Sequence, residues 1–424
     1  MTESVVALLA LLVLGWSVVS GVLARYDVTG PLVFAAAGYV VANPTWGPLT
    51  VDVDTASVHR IAEVTLALVL FSDASRVNVA ELERDLAVPV RLLGIGLLLS
   101  VILGSVLAGW MLGGLPWALA GFVGASLAPT DAALSVAVIN DERIPLRPRR
   151  ALNVESGLND GIATPIVVFM LAVASSQLGL VTESESFEAG TALRELGGGV
   201  LVGLALGGVG AMLISAASRR HWVERGGRQL ATLAIALAGF SVALTFDLNG
   251  FIAAFIAGVA FGAFLDRGVA DLASSTELPE LGGELLALVV WFLFGAVLVP
   301  LAIEQLDWRT MLYALFSLTI VRMLPVALSL VGAGLDRPSV VFIAWFGPRG
   351  LASVVFALLA IEELGETLPE VDRAVATVVL TVALSVVLHG ITARPGGRRY
   401  VELEQQPDGP VPRSRRSIAV PIDP

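Results

Sequence analysis

The sequence predicts an all-α membrane protein with about 13 transmembrane helices, two of them interrupted. Three observations carry that expectation. The chain of 424 residues is 56% hydrophobic and 15% charged, where soluble domains carry about 25% charged residues; its mean hydropathy is +0.83. Apolar stretches of roughly 20 residues, enough to cross a bilayer as a helix, recur along nearly the whole length. Two of these stretches are broken near their middles by proline and glycine, a pattern that points to inverted repeats.

Composition also excludes several classes. Cysteine is absent, which removes disulfides, thiolate catalysis and cysteine-bound zinc or iron–sulfur sites. All 26 basic residues are arginine, against 37 acids, for a net charge of −11. That balance excludes nucleic acid as a partner and leaves membrane lipid as the surroundings.

Taken in order, the apolar spans fall near 4–24, 30–46, 57–75, 88–112, 116–139, 150–177, 195–217, 229–246, 250–265, 284–303, 308–333, 338–360 and 373–393. The first has Glu3 before it, no basic leader and no small-residue cleavage site, so it is expected as a retained helix and not a signal peptide. Arginines then set the orientation. Arg25, Arg76, Arg84 and Arg91, the run Arg143 to Arg150, the run Arg219 to Arg228, Arg267, Arg337 and Arg394 all fall on one side of an alternating topology. The other side holds Arg194, Arg309 and Arg373 near helix ends and collects acids: Glu183, Glu185 and Glu188, then Glu362, Glu363, Glu366, Glu370 and Asp372. Basic residues resist translocation, which predicts a cell-membrane protein with its N-terminus outside and C-terminus cytoplasmic. The expected division is a membrane domain over 1–394 and a disordered cytoplasmic tail over 395–424, proline-rich and carrying Arg413, Arg415 and Arg416. No folded regulatory domain is expected. The pair Gly203 and Gly207 reads as close helix packing rather than transport machinery.

Ionisable groups inside a bilayer are costly, and each is a functional candidate. Asp73, Asp131, Glu155, Asp160, Arg322 and Arg349 lie within apolar spans. Glu63 and His59 sit near one end of the third span and are expected to be solvated. His221 and His389 are isolated, so a histidine metal site or triad is not expected.

The fifth span breaks at Ser126-Leu-Ala-Pro-Thr-Asp131. Proline removes a backbone donor and disfavours helix in the residue before it, and Thr130 or Asp131 can cap a restarted half-helix. Backbone left free at mid-depth is tolerated where it lines a cavity or ion site. Asp131 is thus expected as a cap that also forms the wall of a site. The twelfth span breaks at Phe346-Gly-Pro-Arg-Gly350, now beside a positive charge. Arg349 and Asp131 are expected to compensate the partial charges of the crossing half-helix ends.

The sixth span carries Asn153-Val-Glu-Ser-Gly-Leu-Asn-Asp160. Ser156 and Asp160 share a helix face, as do Glu155 and Asn159. Ser156 and Asp160 offer oxygens to a small hard cation, while Glu155 needs a positive partner, for which Arg322 is the obvious one. A structural Glu155–Arg322 pair leaves Asp160 as the uncompensated acid, free to take a proton or a cation.

Pro129-Thr-Asp131 followed by Glu155-Ser-Gly-Leu-Asn-Asp160-Gly resembles the core signature of the NhaP-type cation/proton antiporters. Phe71-Ser-Asp-Ala-Ser-Arg76, Val321-Arg-Met-Leu-Pro-Val326 and Gly347-Pro-Arg-Gly350 resemble further motifs of that family, in the expected order. The resemblance covers essentially the whole membrane portion. It implies 13 helices in a core and a dimer domain, hence a homodimer, and a role in pH homeostasis. It implies that Asp160 is the shared proton and cation carboxylate, with Thr130, Asp131, Ser156 and Asn159 around it and Asp73 as the third-helix acid. Asp160, Asp131 and Ser156 would then ligate a monovalent cation. The family's buried ion pair maps onto Glu155 and Arg322.

The expected activity is exchange of Na⁺ or K⁺, or Li⁺, for H⁺ by alternating access, with no cofactor and no enzymatic reaction. Burial raises a carboxylate's affinity for a proton and a bound cation lowers it, so the two exclude each other. Asn159 stands where electrogenic relatives carry a second Asp, which implies one proton per cation. The alternative is an anion or organic-solute carrier on the same repeat fold; that activity would call for uncompensated arginines at the crossing. An intramembrane aspartyl protease would need a Gly-x-Gly-Asp element, which the sequence lacks.

Overall fold

A computed structural model describes residues 3–43, 47, 55–76, 87–139, 141–180, 189–365 and 368–404. Arg84, Glu183, Glu185, Glu188, Glu366 and the tail arginines Arg413, Arg415 and Arg416 lie outside the described residues.

The chain opens with α1 (Glu3–Leu23), α2 (Gly30–Val41) and α3 (Thr55–Arg76). A long helix, α4 (Ala87–Met111), follows, with one π-helical turn at Leu92–Gly96. The next apolar span is two pieces: α5 (Trp117–Ser126) and, after an unwound stretch and a 3-10 turn, α6 (Val136–Ile139). Then come α7 (Leu146–Gln177), α8 (Ala189–Arg219), α9 (Arg225–Thr245) and α10 (Gly250–Phe264). Next is α11 (Leu272–Glu304), with a π turn at Phe294–Leu298, and α12 (Trp308–Ser329), bent at Thr319. The twelfth apolar span is again two pieces, α13 (Arg337–Trp345) and α14 (Leu351–Leu364), and α15 (Pro369–Glu404) closes the fold. The described residues are helix, turn and coil, without strand. Among the described residues, eight helical stretches are long and apolar enough to cross a membrane, and α2, α5 and α10 are shorter apolar helices.

Helix packing divides the chain into two bundles. One gathers α2, α3 and α8 to α11; the other gathers α4, α5, α7 and α12 to α15. In the first, α8 lies almost backbone to backbone on α10. A Cβ at Gly203 would sit 2.6 Å from Ala253 O, and one at Gly207 would collide with the Ala257 backbone. These two glycines therefore serve packing, as expected of small residues at a membrane helix interface. In the second bundle, an apolar cluster built on Leu152, Val326, Phe342 and Phe346 reaches Tyr400 at the far end of α15.

That contact corrects the boundary drawn at 394/395. The apolar run ends near 393, but α15 continues to Glu404 with Pro395 inside it. Beyond the run, Tyr400 stacks on Phe342 with ring centroids 4.3 Å apart and shares a 2.7 Å hydrogen bond with Ser339. Tertiary packing holds this turn helical where composition reads as tail.

Candidate functional site

The two interrupted spans meet at their unwound segments, and each satisfies the other's backbone. At the C-terminal end of α5, Ser353 Oγ donates to Ser126 O at 2.6 Å, and Arg349 Nη1 donates to Ala128 O and Pro129 O at 2.8 and 3.1 Å. The last carbonyls of a helix carry partial negative charge, so a guanidinium placed there is favourable. In the opposite direction, Leu351 N at the start of α14 donates to Asp131 Oδ2 at 3.0 Å, and Asp131 N donates to Pro348 O at 2.9 Å. Asp131 Oδ1 also accepts from Ala133 N at 2.8 Å. Asp131 thus caps its own restart and that of the other span. Gly350 is glycine for a steric reason, since a Cβ there would fall on the Asp131 carboxylate.

Just beneath the crossing, Arg322 on α12 and Glu155 on α7 form a bidentate pair at 2.5 and 2.8 Å, each 2% exposed. Gly347 leaves room for this guanidinium, which a Cβ at that position would strike. One turn along α7, Asn159 Nδ2 donates to Thr130 Oγ1 at 2.7 Å, tying the helix to the unwound segment; Asn159 Oδ1 is buried and accepts no hydrogen bond among the described residues. Ser156 Oγ donates to Leu152 O and Asn153 O of its own helix at 2.9 and 3.2 Å.

Asp160 differs from Glu155 and Asp131. Its carboxylate is partly buried and accepts no hydrogen bond and forms no ion pair among the described residues. It lies within Coulombic reach of Asp131 and of Asp73 on α3, whose carboxylate is equally unpartnered apart from the nearby charge of Arg76. Here α3 and α7 approach closely: a Cβ at Gly157 would lie 3.8 Å from Asp73 O, and one at Gly161 would meet the Phe255 ring of α10. The acids therefore occupy the seam between the two bundles, Asp73 on one side and Asp160 and Asp131 on the other. Among the described residues there is no group of three or more His, Asp or Glu that could hold a metal ion.

The expectation that His59 is solvated is corrected. It is 3% exposed, and its Nδ1 lies 3.0 Å from Glu362 Oε2, a link from α3 to the end of α14. Glu63 pairs with Arg60 at 3.0 Å. Sequence reasoning missed Ser353 and Tyr313, whose hydroxyl donates to Gly104 O at 3.1 Å. A small hydroxyl inside an apolar run carries no signal beyond packing.

Interrupted apolar helices, mutual capping and unpartnered acids in a seam are features of a multi-span membrane transporter. The chain belongs to the sodium/hydrogen exchanger family: the model described as "Sodium/hydrogen exchanger, transmembrane" matches residues 6–397. It is 24% identical over 398 residues to the K⁺/H⁺ antiporter NhaP2 of Shewanella oneidensis, covering 92% of this chain and 65% of that protein. It is 24% identical over 330 residues to the K⁺/H⁺ antiporter NhaP of Alkalimonas amylolytica, covering 77% and 55%. The chain thus spans between half and two thirds of these relatives' lengths. In fold it is similar to the sodium proton antiporter MjNhaP1 of Methanocaldococcus jannaschii, with a TM-score of 0.74, 21% identity and coverage of 93% of this chain and 98% of that one.

Proposed function

We propose that this protein exchanges a monovalent cation for a proton, one for one, across the cell membrane, with Asp160 as the shared carboxylate. The observation that carries this reading is the distribution of commitments among the buried acids. Glu155 is neutralised by Arg322, and Asp131 is engaged by two backbone N–H groups. Among the described residues Asp160 and Asp73 are left without a hydrogen-bonding partner, and Asp160 is the one on α7, next to Asn159 and within Coulombic reach of Asp131. A carboxylate in that position binds a proton or a cation and not both. In this reading Thr130, Ser156, Asn159 and Asp131 supply further oxygens, Asn159 Oδ1 among them with no hydrogen bond among the described residues, and Asp73 lies within Coulombic reach from the other bundle.

The membrane arrangement in this reading is 13 crossings, N-terminus outside and C-terminus cytoplasmic. The bundle of α4, α5, α7 and α12 to α15 forms the core, and the other bundle forms the dimer domain of a homodimer. The reciprocal bonding of the two broken spans supports inverted repeats, and a site in the seam suits alternating access by motion of one bundle past the other. Membership in the exchanger family and K⁺/H⁺ and Na⁺/H⁺ antiporters among the similar proteins support cation/proton exchange. Anion transport is disfavoured because Arg322 and Arg349 are both compensated, by a carboxylate and by helix carbonyls.

The test is proton flux in proteoliposomes, read by a trapped pH dye, with Na⁺, K⁺ and Li⁺ added in turn. The wild-type protein should respond to at least one of them. Asp160→Asn, permanently neutral, should fall to the level of protein-free vesicles while eluting as a folded protein. Substantial cation-driven flux in that variant would remove Asp160 from the mechanism.

A further inference from the structure

The unwound segment between α13 and α14 is held from below by two side chains one turn apart on α15. Ser385 and His389 are 0% and 2% exposed, so neither is a solvated polar group. They continue a line of buried polar residues at four-residue spacing, after Thr377 and Thr381. Those two threonines donate to carbonyls one turn back on their own helix, at 2.7 Å each, the ordinary fate of a hydroxyl on a buried helix face. Ser385 and His389 instead reach across to the broken span. Arg349 N donates to Ser385 Oγ at 2.7 Å, and His389 Nε2 lies 3.0 Å from Trp345 O, the last carbonyl of α13.

We assign His389 the tautomer with its hydrogen on Nε2, which serves both contacts to the broken span: Nε2 donates to Trp345 O, and Nδ1 is left to accept from Ser385. In the neutral ring Nδ1 is then an acceptor, and Ser385 Oγ stands 3.1 Å from it. The hydroxyl thereby accepts from Arg349 N and donates to His389 Nδ1. The same nitrogen is 3.0 Å from Ser385 O, a contact this tautomer does not use. The chain of bonds runs Arg349 N–H, Ser385 O–H, His389 and Trp345 O, and it grips the unwound segment on both sides. What it grips matters, because the Arg349 guanidinium holds Ala128 O and Pro129 O, and the next residue, Thr130, is bonded to Asn159 beside Asp160.

We propose that Ser385 and His389 are positioning residues that clamp the broken span and, through Arg349 and Thr130, set the cation affinity of the site at Asp160. The proposal rests on the antiport reading and adds a specific consequence to it. Loss of the clamp should weaken cation binding, whereas a merely structural role would lower the amount of competent protein and leave affinity alone.

The experiment measures the half-saturating cation concentration and the maximal rate of exchange in proteoliposomes. Ser385→Ala should raise half-saturation roughly five- to tenfold, the scale of one buried hydrogen bond lost. Ser385→Thr, which keeps the hydroxyl, should stay within about twofold of wild type. His389→Gln retains a donor for Trp345 O but offers no acceptor in the place of Nδ1, and should also raise half-saturation. Half-saturation does not depend on protein amount, so a poorly assembling variant still reports. Unchanged half-saturation with a reduced maximal rate in Ser385→Ala and His389→Gln would overturn the clamp. A wild-type protein that exchanges no cation for protons would instead overturn the antiport reading itself, and the clamp's role with it.

Discussion

Glu155 and Arg322 are buried together, and neither could remain there alone. A bilayer interior offers no water to replace a lost partner, and breaking a buried pair costs on the order of 3–5 kcal/mol. Glu155→Gln or Arg322→Ala should therefore lower thermal stability in detergent more than a typical single change. The double variant Glu155→Gln with Arg322→Gln should recover part of that loss, because no charge is left unpaired. A double variant no more stable than the worse single would remove the pair as a stabilising unit. The pairing was legible in the sequence because each charge interrupts an apolar span and needs an opposite. The room for it was not legible. That depends on Gly347 of the other broken span lying against the guanidinium, a contact between residues far apart in the chain. His59 illustrates the same limit: it is buried, and its contact is with Glu362 at the end of a helix distant in the chain.

At the scale of elements, the crossing is a mutual capping arrangement, and its weakest tolerance is steric. Gly350→Ala forces a methyl group onto the Asp131 carboxylate, and overpacking of this kind costs about 1–3 kcal/mol. Asp131→Ala removes the acceptor for Leu351 N and Ala133 N, a capping loss of about 1–2 kcal/mol. Asp131→Asn keeps one carbonyl acceptor and should lose less. If the two features act at one locus, Gly350→Ala should cost less in the Asp131→Ala background than in wild type, measured as thermal unfolding in detergent. Full additivity would mean that Gly350 is small for another reason. Both interruptions were visible in the sequence because proline and glycine leave a local signature that no partner can hide. Ser353 and Ser385 were invisible, since a serine in an apolar helix looks the same whether it bonds its own turn or a neighbour's backbone. The end of α15 was misplaced for the converse reason: Tyr400 belongs to the helix through stacking on Phe342, which hydropathy along the chain does not register.

For the whole molecule, the consequence of a single exchanging carboxylate is electrical. Asn159 cannot ionise, so in the proposed exchange the loaded site holds one proton or one monovalent cation, and the two loaded states carry the same charge. If the loaded forms are the ones that cross, net transport moves no charge and membrane voltage does no work on it. In proteoliposomes, a potential imposed by a permeant-anion gradient, which leaves Na⁺ and K⁺ alike free to serve as substrates, should neither drive nor retard exchange. The competing carboxylates can be ranked from their surroundings. Asp131 accepts two backbone N–H groups and helps hold the crossing together, so taking up a proton there would weaken a cap on each turn. Asp73 has no such commitment: it accepts no hydrogen bond among the described residues and faces Asp160 across the seam. A second proton, were one carried, would therefore sit on Asp73. A clear voltage dependence that disappears in Asp73→Asn would assign that proton and overturn the one-for-one exchange; voltage-independent rates in both wild type and Asp73→Asn would leave Asp160 as the single carboxylate that changes its load.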